Sequence, residues 1–106
     1  MKRALTALKI VYWRSAARLQ PGHAAHHRQL GQALHELGRL NEASEELYRA
    51  TQLDPNSAEG HFALGTTMSA LGRLESSRIA FARATRLDPS NAETSFALGN
   101  VYFECG

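Results

Sequence analysis

The sequence predicts an all-α protein, a solenoid of stacked antiparallel helix pairs. The first observation behind this is an internal repeat. Residues 24–57 and 58–91 align without a gap at a spacing of 34 and are identical at 14 positions, where unrelated segments of ordinary composition share roughly two. Second, single columns continue in both directions at that spacing: Leu30, Leu64 and Leu98; Gly31, Gly65 and Gly99; Gly38, Gly72 and Gly106; Ala16, Ala50 and Ala84; Pro21, Pro55 and Pro89. Third, apolar residues recur at helical spacing, and no alternating run reads as a strand. A unit of this length cannot bury its apolar face alone, so units must stack.

Taken in order, residues 1–22 read as the second helix of a partial unit. Leu5, Leu8, Tyr12, Ala16 and Leu19 recur at helical spacing over residues 2–20 and are expected to face inward. Pro21-Gly22 ends the helix, because proline has no N–H for the ladder. The Arg-rich, acid-free start has the character of a leader peptide. Against that, Trp13, Ala16, Leu19 and Pro21 keep the phase of Leu47, Ala50, Leu53 and Pro55, which a cleaved leader has no reason to do. The segment is structural.

The first full unit, 24–57, opens with a helix over 24–37 that carries Leu30, Ala33, Leu34 and Leu37 on one stripe. Gly38-Arg39-Leu40-Asn41 turns the chain, with Asn41 as the expected N-cap. A return helix over 42–53 buries Ala43, Leu47 and Ala50, and Asp54-Pro55 closes it. The second unit, 58–91, starts on Asn56-Ser57-Ala58-Glu59, a capping-box pattern in which Asn56 accepts from the Glu59 amide and Glu59 reaches back. Its helices cover 58–71 and 75–87, with Ile79, Phe81 and Ala84 inward. Ser90-Asn91-Ala92-Glu93 repeats the box, and 92–104 is the first helix of a further partial unit within 92–106. The chain 1–106 is thus one array, two full units with a half unit at each end, and is expected to be part of a longer protein. A mid-helix glycine costs about 1 kcal/mol relative to alanine, so Gly31, Gly65 and Gly99 predict a neighbouring backbone too close for a Cβ.

Composition excludes more than it selects. The formal charge is +2, yet residues 1–35 hold six Lys or Arg and no acid, while all ten acids follow. Six charges over two helices make an ordinary solvated face, so neither a nucleic-acid nor a membrane partner is expected. No run of 18 apolar residues exists to span a bilayer. The single cysteine, Cys105, precludes an intrachain disulfide and fits a reducing, cytoplasmic setting. In the column of Leu37 and Leu71 it reads as a small hydrophobe. His23 and His27 stand four apart, but a metal site needs three or four ligands. His27 shares a column with His61, so packing is the expected role, and no metal or cofactor is assigned. Ser76-Ser77 lacks a His or Asp partner in a nucleophile pattern, and no Gly-rich phosphate loop follows a strand. No residue is assigned as catalytic.

These columns resemble the tetratricopeptide repeat. The match is Leu30-Gly31, Leu34, Gly38, Ala43, Leu47, Ala50 and Pro55 in the first unit and Leu64-Gly65, Met68, Gly72, Phe81, Ala84 and Pro89 in the second. Leu98-Gly99 and Tyr102 continue it, so the resemblance covers residues 5–106. It departs at His27, His61 and Ser95, where the family often has Trp, and at Ser77, where it has Ala. The resemblance implies a right-handed solenoid whose first helices line a concave groove for a peptide or a partner's helix.

On helical spacing that groove is Arg28, Gln32 and His35, then Glu59, Phe62, Thr66 and Ser69, then Glu93, Phe96, Asn100 and Phe103. Phe62, Phe96 and Phe103 are expected to form an apolar strip for an amphipathic peptide whose acid meets Arg28. Arg28 and Gln32 imitate part of the family's carboxylate clamp, but Ala63, Glu93 and Ala97 occupy the rest, so no clamp is expected. The asparagine ladder of O-linked glycosyltransferase arrays also fails, at Gln29, Ala63 and Ala97. The function implied is a protein-interaction scaffold and not an enzyme. The alternative is a substrate-presenting array of a larger glycosyl- or sulfotransferase. On the last helix Leu98, Val101, Tyr102, Phe103 and Cys105 stand without a covering helix, which predicts self-association there or fraying.

Overall fold

Six helices follow one another in the computed structural model, which describes residues 1–105: α1 (Lys2–Leu19), α2 (Ala24–Glu36), α3 (Leu40–Leu53), α4 (Ala58–Ala70), α5 (Leu74–Leu87) and α6 (Ala92–Cys105). The described residues contain no strand. Gly106, placed by sequence in the column of Gly38 and Gly72, lies outside them. Each helix packs on the next in sequence, most extensively α2 on α3 and α4 on α5, and α2 also touches α4 directly. The result is a helical-repeat solenoid measuring 39 × 28 × 21 Å.

The turns inside the helix pairs follow from two glycines. Gly38 and Gly72 have φ of 81° and 78°, the left-handed region that a side chain disfavours. Their amides bond to His35 and Ser69 carbonyls at 2.9 and 3.0 Å, and those of Arg39 and Arg73 reach back to Leu34 and Met68, both at 2.9 Å. This satisfies the last carbonyls of α2 and α4.

The helix starts differ from expectation by a residue or two. Helix α3 begins at Leu40, so Asn41 lies in its first turn and caps nothing; its carbonyl accepts from Ser44 Oγ at 2.8 Å. Ser57, not Asn56, caps α4, with Oγ accepting from the Gly60 amide at 3.1 Å. Asn91, not Ser90, serves α6, its Oδ1 accepting from the Thr94 amide at 3.3 Å. Neither capping box forms. With the cap one residue later, the third helical position is Gly60 or Thr94, and neither side chain can return a carboxylate.

At Gly31 and Gly65 the glycine column works chiefly as a socket for a side chain, with a neighbouring backbone close only at Gly31, where a Cβ would lie 3.2 Å from the Ala43 carbonyl oxygen. A Cβ on Gly31 would lie 2.6 Å from Leu47 Cγ, and one on Gly65 would lie 2.8 Å from two ring carbons of Phe81. Leu47 and Phe81 are buried in those sockets, large against small, as closely packed helix pairs require. Gly99 has nothing within 4 Å. His27 and His61 are buried, and each Nε2 donates to the proline carbonyl of the preceding turn, Pro21 at 2.8 Å and Pro55 at 2.9 Å. That is the packing role their shared column implied.

Three inward faces need correction. Helix α1 turns Thr6, Ile10 and Ala17 inward beside Trp13, while Leu5, Leu8, Tyr12 and Leu19 are exposed. It packs on α2 and can bury one face only, and that face lies one residue around from the leucine stripe. On α5, Ala80 occupies the inward place and Ile79 is 53% exposed. On α6, Thr94 and Val101 are buried against the array, whereas Cys105 is exposed and is no core hydrophobe. No further helix among the described residues covers it.

Candidate functional site

The first helix of each pair, α2, α4 and α6, contributes to one concave side. Between α2 and α4 lies a cavity of about 410 Å³, with Gln32, His35 and Glu36 on one wall, Phe62, Thr66 and Thr67 on the other, and Leu47 at its floor. Between α4 and α6 a second cavity of about 320 Å³ is lined by Phe62, Thr66 and Ser69 opposite Glu93, Phe96 and Asn100, over Phe81 and Val101. Phe62 and Thr66 belong to both. The two cavities therefore form one trough across three helices.

Helical spacing explains why these side chains meet. Phe62, Thr66 and Ser69 fall at i, i+4 and i+7 on α4, and Glu93, Phe96 and Asn100 at i, i+3 and i+7 on α6, one face in each case. Thr66 Oγ1 donates to the Phe62 carbonyl at 2.9 Å, which satisfies the hydroxyl within the helix. The half-buried Phe62 ring sits 5.6 Å from Phe81, tilted by 52°, a favourable aromatic pairing. His35 Nδ1 is hydrogen-bonded to Thr67 Oγ1 at 2.8 Å and ties α2 to α4. Phe96, by contrast, is 71% exposed over the second cavity.

Eight of the eleven residues expected from the sequence line this trough. Three do not. Arg28 lies in a small cleft beside Asp54 and Ser57, and its Nη1 is 2.9 Å from Glu59 Oε2. The cation expected to await a ligand's acid is already answered by α4, and Glu59 is spent on the same contact. Phe103 is 88% exposed and lines neither cavity. Sequence reasoning missed Glu36, Glu104, Phe81 and Val101. A signal existed for the two acids, since Glu36 and Glu104 stand two repeats apart in one column.

The charges sort by face. The first helices carry Arg28 against Glu36, Glu59, Glu93 and Glu104, whereas α1, α3 and α5 together carry nine Lys or Arg and four Glu. No Lys or Arg lines the trough. On the opposite side, a hydrogen bond from the Arg78 guanidinium holds the Glu75 carboxyl below the ordinary carboxylate range. Among the described residues no cluster of three or more His, Cys, Asp or Glu is placed to hold a metal ion. No described helix is long and apolar enough to cross a membrane.

Two family models match the sequence, a TPR repeat over residues 31–72 and a tetratricopeptide repeat over residues 58–91. No curated protein matches it. Among solved structures the chain is similar to the first TPR of Spaghetti (RPAP3) bound to the HSP90 peptide SRMEEVD, at TM-score 0.93 and 18% identity over 98% of this chain and 82% of that one. The second TPR domain of human RPAP3, in complex with the HSP70 peptide SGPTIEEVD, gives TM-score 0.83 and 19% identity over 88% and 78%. MamA gives 0.87 and 27% over 92% of this chain and 57% of that one.

Proposed function

The chain belongs to the tetratricopeptide repeat family, and from that premise we propose that it is a protein-interaction scaffold whose concave trough takes a peptide or a partner's helix. The observation that carries this is the continuity of the trough through Phe62 and Thr66, with Phe96 open above it. A floor of buried Leu47 and Phe81 gives the trough a fixed shape, so little ordering energy is lost on binding. The Spaghetti and human RPAP3 domains, which share the fold, are bound to HSP90 and HSP70 peptides. Nothing in the trough favours a substrate-presenting array of a transferase, and no residue is given a catalytic role.

A selected peptide should bind with micromolar affinity, about −8 kcal/mol. The test is selection from a peptide library followed by calorimetry on Phe62→Ala, Phe96→Ala and Phe103→Ala. Losing the Phe96 anchor should weaken binding by more than ~1 kcal/mol with helicity intact, while Phe103→Ala binds as the parent does. If the Phe62 and Phe96 variants also bind as the parent does, the reading is wrong.

A second copy of the chain is a further partner. Helix α6 exposes Phe96, Tyr102 and Phe103 and carries acids alone; α1 exposes Leu5, Leu8 and Tyr12 and carries bases alone. Apolar faces of opposite charge suit head-to-tail contact. Light scattering on the 106-residue chain at ~100 µM should show species larger than a monomer. A monodisperse monomer would rule this contact out.

A further inference from the structure

The trough has a sign as well as a shape. We propose that it selects a cationic, apolar segment, with Lys or Arg spaced between hydrophobic residues, over an acidic tail. This rests on the scaffold reading above and adds the chemistry of the partner.

The acidic residues lining the trough are Glu36, Glu93 and Glu104, and none of them is in an ion pair among the described residues. Glu36 has only a hydroxyl beside it, Thr6 Oγ1 at 3.2 Å. The nearest cation on these helices, Arg28, is held 2.9 Å from Glu59 and lies outside both cavities. His35 is engaged with Thr67. An acidic ligand would therefore meet three uncompensated like charges and no free donor cation, and like-charge juxtaposition is among the strongest devices for rejecting a partner. A cationic ligand meets the reverse. Between the carboxylates, Phe62 and Phe96 offer apolar surface, over the buried Phe81 and Val101, that a purely polar basic segment would leave unfilled.

The rest of the molecule pulls the other way. The chain is +2 overall, and its second helices carry the excess, so unspecific attraction favours acidic ligands. The Debye length is about 10 Å at 0.1 M salt, while the thinnest dimension of the molecule is 21 Å. The trough is thus screened from the convex charge, and a preference for a basic ligand has to arise locally.

The experiment uses two fluorescein-labelled peptides of equal length and identical apolar spacing, one with Lys and one with Glu at every polar position. Anisotropy titrations of the 106-residue chain at about 0.1 M (low) and about 1 M (high) salt, where the convex charge is screened in both, read their affinities. The expected result is Kd at least about tenfold lower for the Lys peptide at low salt, since exposed carboxylate–cation contacts are each worth roughly two- to fivefold. Salt should shrink that ratio. The triple variant Glu36→Gln, Glu93→Gln, Glu104→Gln should abolish the preference, its circular dichroism melt unchanged. Equal affinity or a tighter Glu peptide, each lost in Phe96→Ala, would overturn the charge assignment while leaving the scaffold reading standing. A Lys preference that survives the triple variant overturns it too, because the attraction then lies elsewhere. No binding by either peptide would overturn the scaffold reading itself.

Discussion

The concave side, built by α2, α4 and α6, joins two cavities through shared residues, whereas the convex side keeps its cavities apart. The larger convex cavity, about 430 Å³, lies between α3 and α5 and is lined by Tyr48, Met68, Ile79 and Arg83 among others. One repeat earlier the same position holds a cavity of about 350 Å³ with Arg14, His27, Glu46 and Arg49. The two have no residue in common. Nor do their contents agree: His27 Nδ1 lies 3.3 Å from Glu46 Oε1, while the counterpart of Glu46 beside His61 is Ala80. The repeat sets where cavities occur on both sides. What each holds depends on the columns that vary, and only the concave side carries one apolar line across units.

Substitutions can test that contrast, and the largest effect belongs to the floor. Phe81→Ala should cost about 3–5 kcal/mol in urea denaturation and remove peptide binding, because the ring fills the Gly65 socket and supports Phe62. Ile79→Ala, on the convex rim and half exposed, should cost under ~1 kcal/mol and leave binding unchanged. Next come the glycines. Gly65→Ala should destabilise by about 1–3 kcal/mol, as overpacking does, whereas Gly99→Ala, with open space around it, should stabilise by up to about 1 kcal/mol. Equal melting shifts for the two would mean the socket is not what fixes glycine there. The smallest effect compares the units. Ser77, fully buried, donates to the Gly65 carbonyl at 2.8 Å, yet Ala43 fills the same column one unit earlier without that bond. Ser77→Ala should therefore cost within about 1 kcal/mol.

The helices and their turns were legible because glycine and proline mark backbone geometry directly, whereas what fills the space beside Gly31 and Gly65 was not. Finer choices depend on neighbours that periodicity does not name. Asn56 and Ser57 are both competent caps, and only the point where the helix actually starts makes it Ser57. The leucine stripe of α1 is as helical as the Ile10 face, and packing on α2 decides between them among the described residues. Ile79 looked like core by size, although Ala80 is the residue that α5 turns inward beside Phe81. Arg28 read as a free cation because its partner, Glu59, is 31 residues away. The acidic rim was missed since the groove was traced through residues 28, 32 and 35, and Glu36 lies one step further around the helix. Along the chain the charge divides front against back, whereas in the fold it sorts between faces.

We place peptide binding in the concave trough and not in the convex groove between α3 and α5. Amide chemical-shift mapping by nuclear magnetic resonance during titration with the Lys-bearing peptide tests it most directly. The largest shifts should fall on Phe62, Thr66, Ser69, Ala97 and Asn100, with Tyr48, Ile79 and Arg83 unmoved. Shifts gathered on those convex residues, with the α4 and α6 amides silent, would contradict the account.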